Sequence, residues 1–218
     1  IGGYTSVITL NQSGGFLNDT LIYLRVSSSA LAGNYLSNIV IASLGSDTIY
    51  LPITRTVNPS PIVGFTINSS TQCLNNNNFI FSDTTKISSG TFTNLWNFGS
   101  ILMDTSSITV VNKAYTTPNN YNIKYIATSN NGCKDSIIKT IIVNPSPTAG
   151  FTINNLTQCL KGNSFIFNDT SSISNGTITR QWVFGDGTTS TSNNPVKGCQ
   201  YPSSSSVRLV VVSSSGCK

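Results

Sequence analysis

The sequence predicts an all-β protein built of tandem β-sandwiches. Three observations carry that prediction. Short segments rich in aromatic and β-branched residues alternate apolar and polar side chains with a period of two, as half-buried strands do. Gly, Asn, Ser and Asp collect between those segments as turn chemistry. The pattern then recurs with a shift of 86 residues, and no stretch shows helical periodicity.

Taken in order, the elements begin with residues 1–57, which do not match the repeat. They hold alternating segments at 5–10, 21–26, 35–42 and 48–57, four predicted strands of a partial sandwich domain cut at its N-terminal side. The first repeat, 58–143, opens on Asn58-Pro59-Ser60-Pro61. Proline fixes its own φ and pushes the preceding residue out of the helical region, so this tetrapeptide reads as extended punctuation. Predicted strands follow at 63–67, 79–81, 92–98, 108–115, 121–128 and 137–143. Six or seven strands in 86 residues imply a sandwich. The second repeat, 144–218, opens on Asn144-Pro145-Ser146-Pro147. Its Phe151, Cys159, Phe165, Phe167, Trp182 and Tyr201 align with Phe65, Cys73, Phe79, Phe81, Trp96 and Tyr115, and beyond that tyrosine the second copy is two residues shorter. Gly216-Cys217-Lys218 then matches Gly132-Cys133-Lys134, so the second repeat stops short of its last strand. That reading makes the chain a piece of a longer array, with strand donation between subunits as the alternative.

Composition narrows the function classes. Ser, Thr and Asn supply 33, 27 and 26 residues, while charged residues make up only 9%. There are 12 Lys and Arg, seven Asp, and neither Glu nor His. Without histidine there is no Ser-His-Asp relay and no His-ligated zinc. Seven scattered Asp make an acid/base pair hard to assemble, so no enzyme is expected. The net charge of +5 comes from widely spaced residues rather than a basic stripe, which argues against a nucleic-acid partner. No apolar run approaches the ~20 residues of a membrane-spanning helix.

Trp182-Val183-Phe184-Gly185-Asp186-Gly187, framed by Phe151, Phe165, Phe167 and Tyr201, resembles the signature of PKD domains. The first copy carries the reduced form Trp96-Asn97-Phe98-Gly99-Ser100. The resemblance covers residues 58–218 and implies immunoglobulin-like β-sandwiches, arranged here as a rod, in an extracellular spacing or adhesion module. The run from Ser28 to Tyr35 more weakly resembles a linker in immunoglobulin-like modules of large secreted bacterial surface proteins. Together these point to a stalk segment of a secreted adhesin or surface filament. Its partners would be neighbouring repeats, other copies in a filament, and surface glycans or proteins reached through other parts. The alternative is a carbohydrate-binding accessory region of a secreted hydrolase.

The candidate sites divide the two readings. Trp96 and Trp182 are sugar platforms if exposed and core residues if packed between sheets, the latter preferred. Asp186 suits a tight turn better than structural calcium, which needs six to eight oxygens, and no cofactor is otherwise expected. Tyr115 and Tyr201 read as core residues with a hydrogen-bonded hydroxyl. Asp followed by Ser or Thr and then an aliphatic residue or Thr occurs at Thr20, Thr48, Thr84 and Ser136, each at or near a strand start. It resembles the O-glycosylation acceptor of bacteria that use type IX secretion. Asn-x-Ser/Thr sequons at Asn11, Asn18, Asn68, Asn155, Asn168 and Asn175 matter only in a eukaryotic secretory host.

The cysteines follow from the resemblance. In an immunoglobulin-like sandwich the second and sixth strands run the same way. Cys73 precedes the second and Cys133 follows the sixth, which places them at opposite ends, on the order of 20 Å or more apart. Head-to-tail stacking instead brings Cys73 of the first repeat to Cys217 of the second, an inter-domain disulfide. Pairs within each repeat and free thiols remain as alternatives. Cys199 aligns with Lys113 and is read as a free thiol.

Overall fold

The computed structural model describes residues 8–9, 23–42, 47–99, 103–104, 108–201 and 204–218. The chain divides between Asn58 and Pro59 into two units. In the first, β1 (Gly33–Ile41) and β2 (Ile49–Val57) pair as an antiparallel hairpin, with Ile39 opposite Leu51. The strand expected at 5–10 lies mostly outside the described residues. The one expected at 21–26 is corrected: Tyr23 to Val26 form no strand. Their side chains are exposed, and among the described residues no sheet packs on them.

The second unit holds two separate aromatic cores, one per repeat. Among the described residues the first repeat is a two-sheet sandwich of eight strands, where six or seven were expected. β3 (Phe65–Ile67), β5 (Phe79–Asp83) and β8 (Val110–Lys113) form one sheet in the order β3-β5-β8. The other contains β4 (Thr71–Cys73), β6 (Phe92–Asn97), β7 (Met103–Asp104), β9 (Asn119–Ser129) and β10 (Lys134–Asn144), in the order β4-β10-β9-β6-β7. β10 runs antiparallel to β9 and parallel to β4, with Asn144 opposite Cys73.

Alternation explains what the sheets enclose. Phe79 and Phe81 point inward from one sheet, and Trp96, Ile123, Tyr125, Ile141 and Val143 from the other. Phe65 meets Trp96 edge to face at 5.1 Å, and the Trp96 and Tyr125 rings lie 4.2 Å apart. Such aromatic pairs contribute roughly 0.5–1.5 kcal/mol beyond their area burial.

The second repeat repeats the plan with fewer strands. β11 (Phe151–Ile153), β12 (Phe165–Asp169) and β15 (Val196–Lys197) stand where β3, β5 and β8 stand in the first. β14 (Thr189–Ser190), β13 (Ile178–Phe184) and β16 (Val207–Ser213), in that order, match β7, β6 and β9. β4 and β10 have no counterpart strand among the described residues.

Candidate functional site

The joint between the repeats is held by hydrogen bonds and a disulfide as well as by the chain itself. β10 carries the chain out of the first repeat directly into the Pro145–Pro147 segment. Leu74 N–H donates to the Asn144 carbonyl at 2.7 Å, and Asn75 N–H donates to Ser146 Oγ at 3.0 Å. The segment after β4 is thereby tied to the second proline tetrapeptide. Pro147 is buried.

At this joint Cys73 and Cys217 form a disulfide with Cα atoms 5.5 Å apart. It links the end of β4 in the first repeat to the turn after β16 in the second. Cys217 is 1% exposed. Ser213 holds that turn: its carbonyl accepts from Gly216 N–H at 2.8 Å and its Oγ accepts from Cys217 N–H at 3.0 Å. Ser129 holds Gly132 and Cys133 in the same way. Cys133 adjoins the start of β10 and Cys73 pairs with its end. The 11 residues of β10 therefore separate the two cysteines of the first repeat by roughly 30 Å.

The tryptophans are core residues. Both are fully buried. Trp182 Nε1 donates to the Ser192 carbonyl at 2.8 Å, and its ring meets Phe151 at 5.2 Å and Phe167 at 5.7 Å. Neither offers a face to a sugar. Tyr125, missed as a core residue by sequence reasoning, is packed against Trp96. Burial, then Asp83, push its hydroxyl up to about 12.

Asp186 occupies a tight turn. Its Oδ1 accepts from Thr188 N–H at 3.1 Å and Thr188 Oγ1 at 2.7 Å, and its Oδ2 pairs with Lys197 Nζ at 2.7 Å. Lys197 and Thr188 hold its carboxyl at about 2. Gly187, at φ 83°, supplies the left-handed residue this turn requires. In the first repeat the left-handed glycine is Gly99, and Asn97 Oδ1 caps it at 2.9 Å, so the two turns differ in register. The described residues contain no cluster of three metal-ligating side chains. Asp169 is bound by Arg180 and by Ser171. Burial raises its pKa, but those hydrogen bonds outweigh it and hold the carboxyl below its usual range.

Tyr115 and Tyr201 do not share a place, which corrects the alignment. Tyr115 packs on Phe79 at 5.7 Å and Tyr121 at 4.0 Å, and its hydroxyl donates to the Phe98 carbonyl at 3.0 Å. Burial, then Tyr121, raise its pKa. Tyr201 is 76% exposed. Strand register gives the reason. Phe79 pairs with Lys113 and Phe165 pairs with Lys197, a shift of 84 rather than 86. Each lysine lies 5.5 Å above a phenylalanine, Phe98 or Phe184. The two-residue deletion thus precedes this strand, and Cys199 takes the place of Tyr115.

The O-glycosylation candidates are spread over both units. Thr48 is exposed one residue before β2, and Ser136 is exposed as the third residue of β10. Thr84 is exposed but follows the end of β5 rather than a strand start. Thr20 lies outside the described residues.

Sequence reasoning also missed Asn77 and Asn163. Asn77 is 8% exposed; its Nδ2 donates to the carbonyls of Leu74 and Tyr115 and its Oδ1 accepts from Tyr115 N–H. Their recurrence at a shift of 86 was the available signal.

No protein-family model matches the chain. No curated protein matches either. Among solved structures, the chain is similar to the PKD1 domain of Vibrio cholerae metalloprotease PrtV, at 23% identity over 39% of this chain and 98% of that one, TM-score 0.34. The PKD1 domain of Vibrio anguillarum Epp matches at 17% identity, over 39% and 94%, TM-score 0.34. A structure titled for carbohydrate-binding modules of the β-sandwich superfamily matches at 17% identity, over 70% and 83%, TM-score 0.37.

Proposed function

We propose that the chain is a structural spacer segment of an extracellular surface protein, in which consecutive sandwiches are stapled into a tension-bearing stalk. The observation that supports this most is the disulfide between Cys73 and Cys217, which spans 144 residues. A pull entering at Pro59 reaches the bond after β3 and β4 alone and leaves it next to Lys218. Apart from Phe65 on β3, the buried aromatic residues of both cores lie inside the closed loop and are shielded from the load. The Ser, Thr and Asn content and the scattered charges suit such a segment, since they keep its surface polar without a single-sign patch that would bind its surroundings. O-linked glycan on Thr20, Thr48, Thr84 and Ser136 belongs to the same proposal. It is tested by glycopeptide mass spectrometry of native material.

Single-molecule force spectroscopy tests the spacer function. Pulled from its ends, the oxidised chain hides the 144 residues of the loop, about 500 Å of contour length. Reductant releases them in two steps, one per sandwich. Full extension of both sandwiches in the oxidised chain would overturn the proposal.

A further inference from the structure

Two exposed turns carry asparagine directly before glycine: Asn131-Gly132 in the first repeat and Asn175-Gly176 in the second. Glycine puts no side chain beside its main-chain nitrogen, so that nitrogen can reach the preceding carboxamide. The two turns lie at different places. Asn131 follows β9, and Asn175 lies between β12 and β13. Each repeat has serine where the other has asparagine, at Ser215-Gly216 and Ser89-Gly90. The glycine nitrogen separates the two asparagines. Gly132 N–H donates to the Ser129 carbonyl at 2.9 Å, inside a turn that the N–H and Oγ of Ser129 close on Cys133. Gly176 is exposed at φ 94°, and its N–H meets no acceptor among the described residues. The Asn175 carboxamide is also exposed and without a partner among them.

We propose that Asn175 is a deamidation site, where succinimide formation in the folded chain places isoaspartate beside the turn that carries Cys217. The Gly176 nitrogen attacks Cγ of Asn175. The N–Cγ bond forms, the Cγ–Nδ2 bond breaks, and the amide proton leaves with the nitrogen as ammonia. Water then opens the ring at either carbonyl, giving isoaspartate or aspartate. The net change is one water consumed, one ammonia released and one negative charge gained. Asn131 reacts slowly, because attack there must first break the Gly132–Ser129 hydrogen bond and distort a closed turn. The consequence at Asn175 is local but reaches the staple. Ser214 N–H donates to the Thr177 carbonyl at 2.9 Å, and Ser214 Oγ lies 3.1 Å from where a β-carbon on Gly176 would stand. Ser214 adjoins Ser213, which holds the Cys217 turn through its carbonyl and Oγ. Isoaspartate lengthens the main chain by a methylene just before Gly176, so Thr177 moves against Ser214 and that turn loosens. The site itself does not depend on the spacer reading.

The test ages the 218-residue chain at neutral pH, folded and in urea, and follows both asparagines by peptide mapping with isoaspartate-specific methylation. In the folded chain the Asn175 peptide is expected to convert about tenfold faster than the Asn131 peptide, as one held hydrogen bond would give. In urea the two rates should converge. Equal rates in the folded chain, faster conversion at Asn131, or an intact Asn175 peptide under conditions that convert the denatured chain would each overturn the proposal. Asn175→Ser reproduces the Ser89-Gly90 turn of the first repeat. It should remove isoaspartate from this peptide and leave the Asn131 rate unchanged, and a signal that persists would place the reaction at another residue. Amide exchange reads the consequence. In the isoaspartate fraction the Ser214 and Cys217 amides should exchange faster while Ser129 and Cys133 stay as they were. Unchanged exchange at Ser214 would overturn the link to the Cys217 turn.

Discussion

Asn163 grips the backbone of Cys199 from both sides: its Nδ2 donates to the Cys199 carbonyl at 2.8 Å and its Oδ1 accepts from Cys199 N–H at 2.6 Å. Asn77 holds Tyr115 in the same way, at 2.8 and 2.7 Å. The backbone of the two repeats is therefore conserved where the side chain is not. A half-buried tyrosine closes one end of the first sandwich, and a cysteine leaves the matching end of the second open.

This relationship separates two tyrosines that look alike in the sequence. Tyr115→Phe is expected to lose about 1 kcal/mol with the hydrogen bond to Phe98. Tyr115→Ala should lose about 3–5 kcal/mol by opening a cavity among Phe79, Phe98 and Tyr121. Tyr201→Ala should change stability by no more than about 0.5 kcal/mol, as at other exposed positions. Denaturant unfolding of the three variants checks this, and equal losses at Tyr115 and Tyr201 would restore the alignment that the strand register overturns.

That misalignment shows where sequence reading stops. The strands were legible because apolar alternation is the direct imprint of burial on one face, and Trp96 and Trp182 were legible as core for the same reason. The placement of the deletion was not. Matching tyrosine to tyrosine satisfied side-chain identity, whereas the fold is held in register by ladder bonds between Phe165 and Lys197 that carry no sequence signal of their own. β4 was missed because Thr71-Gln72-Cys73 is polar and three residues long. Its pairing to β10 comes from topology. Tyr23 to Val26 erred the other way, since an alternating segment without a partner sheet does not become a strand.

The tryptophans give a spectroscopic prediction. With both indoles sealed between sheets, emission should be blue-shifted and acrylamide quenching weak in the folded chain. Soluble oligosaccharides should leave the spectrum unchanged. Strong quenching of either ring would contradict its burial and reopen the carbohydrate-binding reading. Trp182→Phe leaves the Ser192 carbonyl without its donor, and a loss of about 1–3 kcal/mol is expected from the second repeat alone.

Asp186 predicts an acid limb. Its carboxyl is held at about 2 by Lys197 and Thr188, below its ordinary ~3.9. A carboxyl with a depressed folded pKa contributes stability that is fully present above the unfolded value. That contribution is lost as the pH falls through the folded value, here between about 4 and 2. Asp186→Asn should flatten this part of the curve, leaving the part owed to Asp169, whose pKa is also lowered. Carboxyl-carbon NMR titration reads the site directly, and a midpoint near 4 would show that the Lys197 contact is absent in solution.

The disulfide between Cys73 and Cys217 predicts how the two sandwiches share stability. A crosslink closing a 144-residue loop removes denatured-chain entropy worth up to about 5 kcal/mol on a loop-closure account. The loop encloses most of the first repeat and nearly all of the second, so both should lose stability on reduction. Each core is nevertheless packed from residues of its own repeat, which means neither sandwich should unfold outright. The staple's separate contribution is orientation. With it intact, the Asn75–Ser146 contact and the bond fix the joint at two points, and reduction leaves the hydrogen bonds and the Pro145–Pro147 connection alone. Cys73→Ser with Cys217→Ser should lower the unfolding midpoint of both repeats. It should also broaden the distance distribution between spin labels placed on β5 and β12, while the wild-type distribution stays narrow. Non-reducing peptide mapping fixes the connectivity that this reasoning depends on. A crosslinked Cys73–Cys133 peptide would require the two ends of β10 to meet, and no bending of an 11-residue strand within one sandwich allows that.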